Sequence, residues 1–281
     1  MDAKLSDRVA IVTGSSSGIG KACALRLARD GVAICVVANR NAEGGENTVA
    51  ELQATGVPAI FVQADVGVAA DCERIVADAL AALGRVDVLV NNAGITRSTP
   101  LPELDEAFWD NVLNTNLKSA YLMSRAVIGD MLGRGWGRVI NISSVHARAT
   151  HAGHAAYAAS KAGLEGMTRA LACEFGARGI CFNCILPGTI DIGIYNRRNI
   201  PVDRETWQPH PSEIQVMGRL GSPDEIAAAT SLTRNNVDQH LKRARDWILA
   251  RVREADVERS LFATLHRQKD QRDKHRTPHE E

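Results

Sequence analysis

Tyr157 and Lys161 stand four residues apart in the run Tyr-Ala-Ala-Ser-Lys, and Ser144 lies thirteen residues upstream of the tyrosine. On a helix that spacing is about one turn, so the phenol and the ammonium share a face. A free tyrosine titrates near ~10. A fixed positive charge beside it favours the phenolate and lowers that value. Ser144 can then hydrogen-bond the oxygen of a carbonyl or alcohol whose proton Tyr157 gives or takes. A Tyr and a Lys at helical spacing are also ordinary surface neighbours, so the pair needs elements that place it in a cleft.

Those elements begin at the amino terminus. Val9-Ala10-Ile11-Val12 is an apolar, β-branched run that reads as a buried strand. It leads into Thr13-Gly14-Ser15-Ser16-Ser17-Gly18-Ile19-Gly20 and then a helical pattern over 21–29 with Gly31 as its stop. A strand, a glycine turn and a helix in that order present backbone N–H groups and a positive helix end to a phosphate. Glycine is required there because a side chain would block the pyrophosphate. Further strands are expected at 34–38, 59–63, 86–90, 139–142 and 181–186, with helices over 45–55, 70–82, 105–128 and 155–175. Alternating strands and helices predict an α/β fold with a parallel sheet covered on both faces. Ligands of such sheets sit at the carboxyl ends of the strands. Asp65-Val66, Asn91–Gly94, Ser143-Ser144 and Pro187-Gly188-Thr189 all fall there.

The Thr13–Gly20 turn, Asp65, Asn91–Gly94, Asn116, Ser144, Tyr157, Lys161 and Pro187-Gly188 together resemble the short-chain dehydrogenase/reductase family over about 5–229. The resemblance implies a Rossmann-type doubly wound sheet, a nicotinamide cofactor, and hydride transfer to or from a carbonyl carbon. It implies that Tyr157 is the acid/base, that Lys161 lowers its pKa and holds the nicotinamide ribose, and that Ser144 orients the substrate oxygen. Asn116 would complete a water-linked proton relay to Lys161. Gly14, Ser16, Ser17, Gly18, Ile19 and Gly20 would receive the pyrophosphate. Asn92, Ala93, Gly94, Pro187, Gly188 and Ile190 would line the nicotinamide half, and Asp65 and Val66 the adenine. The family's substrates leave sugar or polyol dehydrogenation and 3-oxoacyl thioester reduction both open.

Cofactor choice turns on the residue after the second strand. A carboxylate there accepts from a ribose 2′-hydroxyl and repels a 2′-phosphate. This chain has Asn39 and then Arg40, a good phosphate partner. The pair favours NADP(H) over NAD(H), although Ser17 occupies a turn position where many NADP-using relatives carry a basic residue.

The chain's 281 residues carry no net charge, with pI ≈ 7.1, so no general attraction to nucleic acid or membrane is expected. The polar start Met-Asp-Ala-Lys-Leu-Ser lacks a signal peptide's apolar stretch, and no apolar run approaches membrane-spanning length. A cytoplasmic enzyme with a small alcohol or carbonyl substrate, forming a homo-oligomer, is the expectation. The six cysteines read as buried free thiols, and Cys181 and Cys184 face opposite sides of a strand. His146, His151 and His154 cluster between Ser144 and Tyr157. No Cys or carboxylate completes a metal-ligand set nearby, so they read as a polar wall and no metal is expected.

After Pro187-Gly188 the stretch 191–218 holds Arg197, Arg198, Trp207 and His210, and reads as a substrate-binding lid. Beyond Ala229 the family's seventh strand, rich in Thr, Gly and Val and ending in Asp-Gly-Gly, has no counterpart. Residues 1–229 therefore form the expected Rossmann domain, 230–267 a helical tail, and 268–281 a polar, disordered end. Glu225 to Arg245 also resembles the helix-turn-helix of bacterial sigma factors, with Thr233 capping and Arg234, Asn235, Lys242 and Arg243 facing out. An amphipathic tail packing on the sheet edge or on a partner subunit is the other account. That segment motivates the alternative function, an inactive dehydrogenase scaffold serving as a DNA- or protein-binding module.

Overall fold

β1 (Val9–Thr13) lies at the middle of the sheet, pairing in parallel with both β2 (Ala33–Ala38) and β4 (Val88–Asn91). β3 (Ala59–Gln63) adds outside β2, while β5 (Gly137–Ile142) and β6 (Ile180–Ile185) continue beyond β4. The resulting order, β3-β2-β1-β4-β5-β6, reverses direction between β1 and β4. That is the crevice where a dinucleotide binds a doubly wound sheet. The computed structural model describes residues 5–192 and 220–230, all within the unit Lys4–Ser231.

Both faces of the sheet are covered, which is why the strands read as continuous apolar runs rather than alternating ones. Ala10, Val12, Val88 and Val90 pack on one face with Cys23, Ala24 and Leu27 of α1 (Gly18–Arg29) and Leu52 of α2 (Ala42–Ala54). Ile11 and Leu89 point the other way, toward Ile75 of α3 (Ala69–Leu83) and Met123 and Val127 of α5 (Ser119–Arg134). Each fully buried side chain of this kind contributes about 1.5–3 kcal/mol. α4 (Glu106–Leu113) precedes α5, and α6 (Ala155–Phe175) packs beside β6. α7 (Pro223–Thr230) closes the described chain against α1.

α7 starts with a reciprocal cap. Glu225 N donates to Ser222 Oγ at 3.3 Å, and Ser222 N donates to Glu225 Oε2 at 2.8 Å, with Pro223 at the first helical position. Ala227 is fully buried in the core beside α1. The Glu-Ile-Ala run is thus part of the α/β body. The rest of the sigma-factor resemblance, 231–245, lies outside the described residues, as do the lid residues Arg197, Arg198, Trp207 and His210 and the tail 231–281.

Several expected boundaries shift for physical reasons. α1 begins at Gly18 rather than at 21, because the glycine turn itself forms the first helical turn. β4 begins at Val88 rather than at 86, because Asp87 turns its carboxylate onto β1's first amide: Val9 N donates to Asp87 Oδ2 at 3.0 Å. The single helix expected over 105–128 is two helices, joined by a π-helical turn over Asn114–Lys118. Free and buried holds for Cys23, Cys35 and Cys72, whose thiols burial pushes up to about 11, 12 and 11. Cys173 is exposed, and Cys181 and Cys184 are half-buried.

The amino-terminal rim is fastened by charge. Asp87, fully buried, pairs with Arg8 at 2.9 Å and Arg85 at 2.7 Å. The guanidiniums of Arg8 and Arg138 lie 4.1 and 4.5 Å from the Trp136 ring. This leaves the opposite rim for ligands.

Candidate active site

The carboxyl rim is assembled from the turn after β1 outward. Gly14 (φ +65°) and Gly18 (φ +57°) adopt a backbone that other residues avoid. A methyl group on Gly20 would stand 2.3 Å from Gly14 O, so only glycine lets α1 begin this close to β1. Ser15, fully buried, donates through Oγ to Val12 O at 2.6 Å and accepts from Val37 N at 3.1 Å, fixing the turn to β2. Thr13 Oγ1 accepts from Asn92 N at 3.0 Å and Ala93 N at 3.1 Å, tying β1 to the segment after β4. Asn92 Nδ2 donates to Thr13 O at 3.0 Å and to Gly14 O at 3.1 Å. The side chain expected to line the nicotinamide therefore buttresses the glycine turn.

Ser16, Ser17 and Ile19 stand on that turn beside the amino end of α1, with Ser17 exposed. At the end of β2, Asn39 Nδ2 donates to Asp65 Oδ2 at 2.9 Å. Arg40 is exposed and has no ion-pair partner among the described residues. Val66 is buried, while Asp65 also accepts from Gly67 N at 2.8 Å. Ile190 forms a parallel bridge with Gly221, and Pro187 and Gly188 follow β6. Pro187 O accepts from Val145 N at 3.0 Å.

The catalytic candidates meet where β5, α6 and the π-turn converge. Asn116 on that turn is buried, and both ends of its amide are engaged. Oδ1 accepts from Ile95 N at 2.8 Å, while Nδ2 donates to Ile95 O at 2.9 Å and Ser160 Oγ at 3.1 Å. A methyl group on Gly94 would lie 3.3 Å from Asn116 Oδ1 and 3.5 Å from Lys161 Nζ, so Gly94 leaves an open cradle between them. A gap of that kind, framed by an ammonium, an amide and a glycine turn at a helix start, fits a dinucleotide. Gly163 lets the π-turn's Leu117 approach α6, since a methyl group there would stand 2.8 Å from Leu117 Cδ2.

Tyr157 and Lys161 share a face of α6 as the spacing predicts, with Nζ 5.7 Å from the Tyr157 ring centroid. Lys161 donates to Ile142 O at 2.7 Å, and burial pushes its ammonium down to about 8. The tyrosine departs from expectation. Burial raises its pKa above the ordinary value, and only the hydrogen bond with the Ser144 hydroxyl pulls it back. The lysine does not set the direction, because its charge is aimed at the Ile142 carbonyl and burial weakens it. Ser144 is buried and also accepts from His146 N at 3.2 Å.

His146, His151 and His154 do gather, with ring centroids 4.3 to 5.0 Å apart, and His146 and His154 lie 5.6 and 6.4 Å from the Tyr157 ring. Among the described residues no group of three or more His, Cys, Asp or Glu is placed to hold a metal ion. No described helix is long and apolar enough to cross a membrane.

The sequence reading missed the buried supports. Asn91 Nδ2 donates to Asn141 Oδ1 at 2.8 Å, and Asn141 Nδ2 donates to Thr168 Oγ1 at 2.8 Å, so amides tie β4, β5 and α6 together. The available signal was an asparagine inside each of two apolar strand runs, where a polar side chain demands a partner.

Comparison with known proteins agrees with this geometry. The family profile described as short chain dehydrogenase matches residues 8–200. A 3-oxoacyl-(acyl-carrier-protein) reductase of Pseudomonas aeruginosa is 43% identical, covering 79% of this chain and 88% of the relative. A hydroxy(phenyl)methylsuccinyl-CoA dehydrogenase subunit of Thauera aromatica is 42% identical over 79% and 87%. An acetoacetyl-CoA reductase of Allochromatium vinosum is 39% identical over 79% and 89%. The chain belongs to the short-chain dehydrogenase/reductase family. It is an NAD(P)-dependent oxidoreductase that interconverts an alcohol and a carbonyl.

Because Lys161 is buried, its titration is linked to stability. Between about 8 and 10.5 the unfolded chain binds more protons at this position than the folded one, so stability rises with pH there. The Tyr157 shift opposes this only above its ordinary ~10. Wild type is expected to gain stability relative to Lys161→Met as pH goes from 8 to 10, as read by urea unfolding. A constant difference would show that the ammonium is solvated.

Proposed function

We propose that this enzyme reduces a 3-oxoacyl thioester with NADPH, using Tyr157 as the proton donor. The observation that carries the reading is the Tyr157 hydroxyl beside the buried Ser144, with Lys161 Nζ 5.7 Å from the Tyr157 ring and 3.5 Å from the methyl group that Gly94 lacks. A phenol whose pKa is raised by burial holds its proton at neutral pH, which suits the reductive direction. The bound cofactor supplies the hydride. Ser144 donates a hydrogen bond to the carbonyl oxygen, and Tyr157 delivers a proton to that oxygen as it becomes a hydroxyl. Lys161 would hold the ribose and return positive charge to the phenolate, and Asn116 fixes the segment at Ile95 that would line the nicotinamide half. The three relatives named above carry CoA or acyl-carrier-protein thioesters in their names, which supports that substrate class over a sugar or polyol.

NADPH over NADH rests on Arg40, exposed beside the amino end of α2 with Asn41 as its cap. Asn39 is held by Asp65 and brings no carboxylate of its own to a 2′-phosphate. Arg40→Ser is expected to weaken NADPH binding about 10- to 100-fold, the worth of one charged hydrogen bond, and to leave NADH unchanged. Equal losses for both would remove Arg40 from the phosphate. The same reading has the enzyme acting in the cytoplasm as a homo-oligomer, supported by its free buried thiols and the exposed Leu101 and Tyr121. The test is NADPH oxidation with acetoacetyl-CoA beside a sugar and polyol panel. Turnover of polyols alone, or a folded chain binding neither cofactor, would overturn the proposal.

A further inference from the structure

Ser144 sits at the end of β5 and Tyr157 on α6, and the connection between them, 145–154, has one short 3₁₀ turn at Val145–Ala147. The connection is anchored at Val145 on Pro187 and at Gly153 on Thr99, whose N donates to Gly153 O at 2.8 Å. Between those anchors Arg148 reaches the middle of α6. Its Nε and Nη2 both donate to Glu165 Oε2, at 3.2 and 2.9 Å. Arg169 Nη1 stands 3.8 Å from the same oxygen.

Glu165 follows Lys161 by one helical turn and Tyr157 by two. Its side chain is 8% exposed, and Oε1 is buried with no hydrogen-bond partner among the described residues, while Arg148 is 71% exposed. Burying a carboxylate in this way is costly. An apolar pair of the same volume is commonly as stable or more so. The clasp is therefore a poor stability device, but two N–H groups converging on one oxygen is a directional one.

We propose that Arg148 and Glu165 are positioning residues. Their clasp fastens the turn that follows Ser144 to the helix that carries Tyr157, and so sets the spacing of the two hydroxyls on the substrate oxygen. The inference rests on the acid/base roles given above and extends them to residues that touch neither substrate nor cofactor.

Glu165→Gln is the informative variant, because it removes the buried charge and leaves a solvated arginine. With NADPH and acetoacetyl-CoA, kcat is expected to fall about 10-fold, the scale of a sub-ångström misplacement, with KM for NADPH and the melting temperature held. The groups around Tyr157, namely Lys161 on its own helix and the His146 and His154 rings, are unchanged in the variant. A shift in its titration then reports on Ser144. Loosening that hydrogen bond moves the acidic limb of kcat for 3-hydroxybutyryl-CoA oxidation to higher pH. Arg148→Lys, which keeps the charge without the fork, should fall between wild type and Glu165→Gln. The Arg148→Gln/Glu165→Gln double variant should match Glu165→Gln, since the pair acts as one unit.

Wild-type kcat and an unmoved pH limb in Glu165→Gln would overturn the proposal. So would a loss of kcat that follows melting temperature and NADPH affinity. Should Glu165→Gln not fold, Arg148→Lys and the double variant carry the same readouts. A wild type that binds NADPH but turns over neither probe counts against the substrate class instead. The clasp is then read from phenolate absorbance, as the difference from Tyr157→Phe, which must move to higher pH when Glu165 is replaced.

Discussion

Tyr157→Phe is expected to lower kcat by about 10²- to 10⁴-fold, the range general acid–base catalysis supplies, with NADPH affinity nearly unchanged. Phenylalanine keeps the ring against His146 and His154 and beside Lys161, so the wall of the cleft stays in place. What is lost is the hydroxyl proposed to pass a proton to the substrate oxygen, and with it the interaction with Ser144. The glycine turn, Thr13, Asn92 and Asn116 are fastened to one another and to Ile95 rather than to Tyr157, so the half of the site proposed for the cofactor is expected to stay intact. Single-turnover reduction at saturating NADPH separates the two effects. A variant with wild-type turnover would remove Tyr157 from the proton path, and one that no longer binds NADPH would show that the phenol is structural.

The second large effect is expected at the turn. Gly20→Ala places a methyl group 2.3 Å from Gly14 O and 2.5 Å from Asn92 Nδ2. Neither neighbour can retreat cheaply. Gly14 is backbone with φ +65°, and Asn92 is held by two carbonyls. The start of α1 must move instead, carrying its N–H groups away from where a pyrophosphate would be held. Overpacking of this kind costs about 1–3 kcal/mol of stability, and a comparable loss at the ligand is roughly 10- to 100-fold in NADPH affinity. Gly129→Ala is the control, because its added methyl meets nothing within 4 Å on α5. Equal NADPH affinity in Gly20→Ala and the control would show that the turn does not hold the cofactor.

The elements most legible in the sequence were those whose residues answer only to local physics. β3 and α6 fall on their expected bounds, because an apolar five-residue run and a long alanine-rich repeat leave little choice. The grouping of Ser144, Tyr157 and Lys161 followed from helical spacing and from the rule that ligands sit at strand carboxyl ends. What spacing could not give was direction and environment. Lys161 aims at Ile142 O, and Tyr157 is governed by burial, because both depend on how tightly β5 packs on α6. The π-turn at Asn116 was hidden for a related reason. Its sequence, Asn-Thr-Asn-Leu-Lys, continues a helical pattern, and the bulge is held by the Ile95 and Ser160 partners of Asn116. Arg148 and Glu165 were invisible, since a pair seventeen residues apart across a turn leaves no periodic trace.

The amide ladder from Asn91 through Asn141 to Thr168 also limits how this enzyme can move. Parting α6 from the sheet would strand the buried Asn141 amide, which donates to Thr168 Oγ1, and the buried Ser143 hydroxyl, which donates to Lys161 O, a penalty of about 1–3 kcal/mol for each. Thr168 is anchored in turn to its own helix, donating to Leu164 O at 2.7 Å. The helix that carries Tyr157 and Lys161 is therefore fastened to the sheet rather than hung from its ends. Tyr157 and Lys161 are thus tied to β4 and β5, and an opening that admits substrate costs least where it leaves α6 in place.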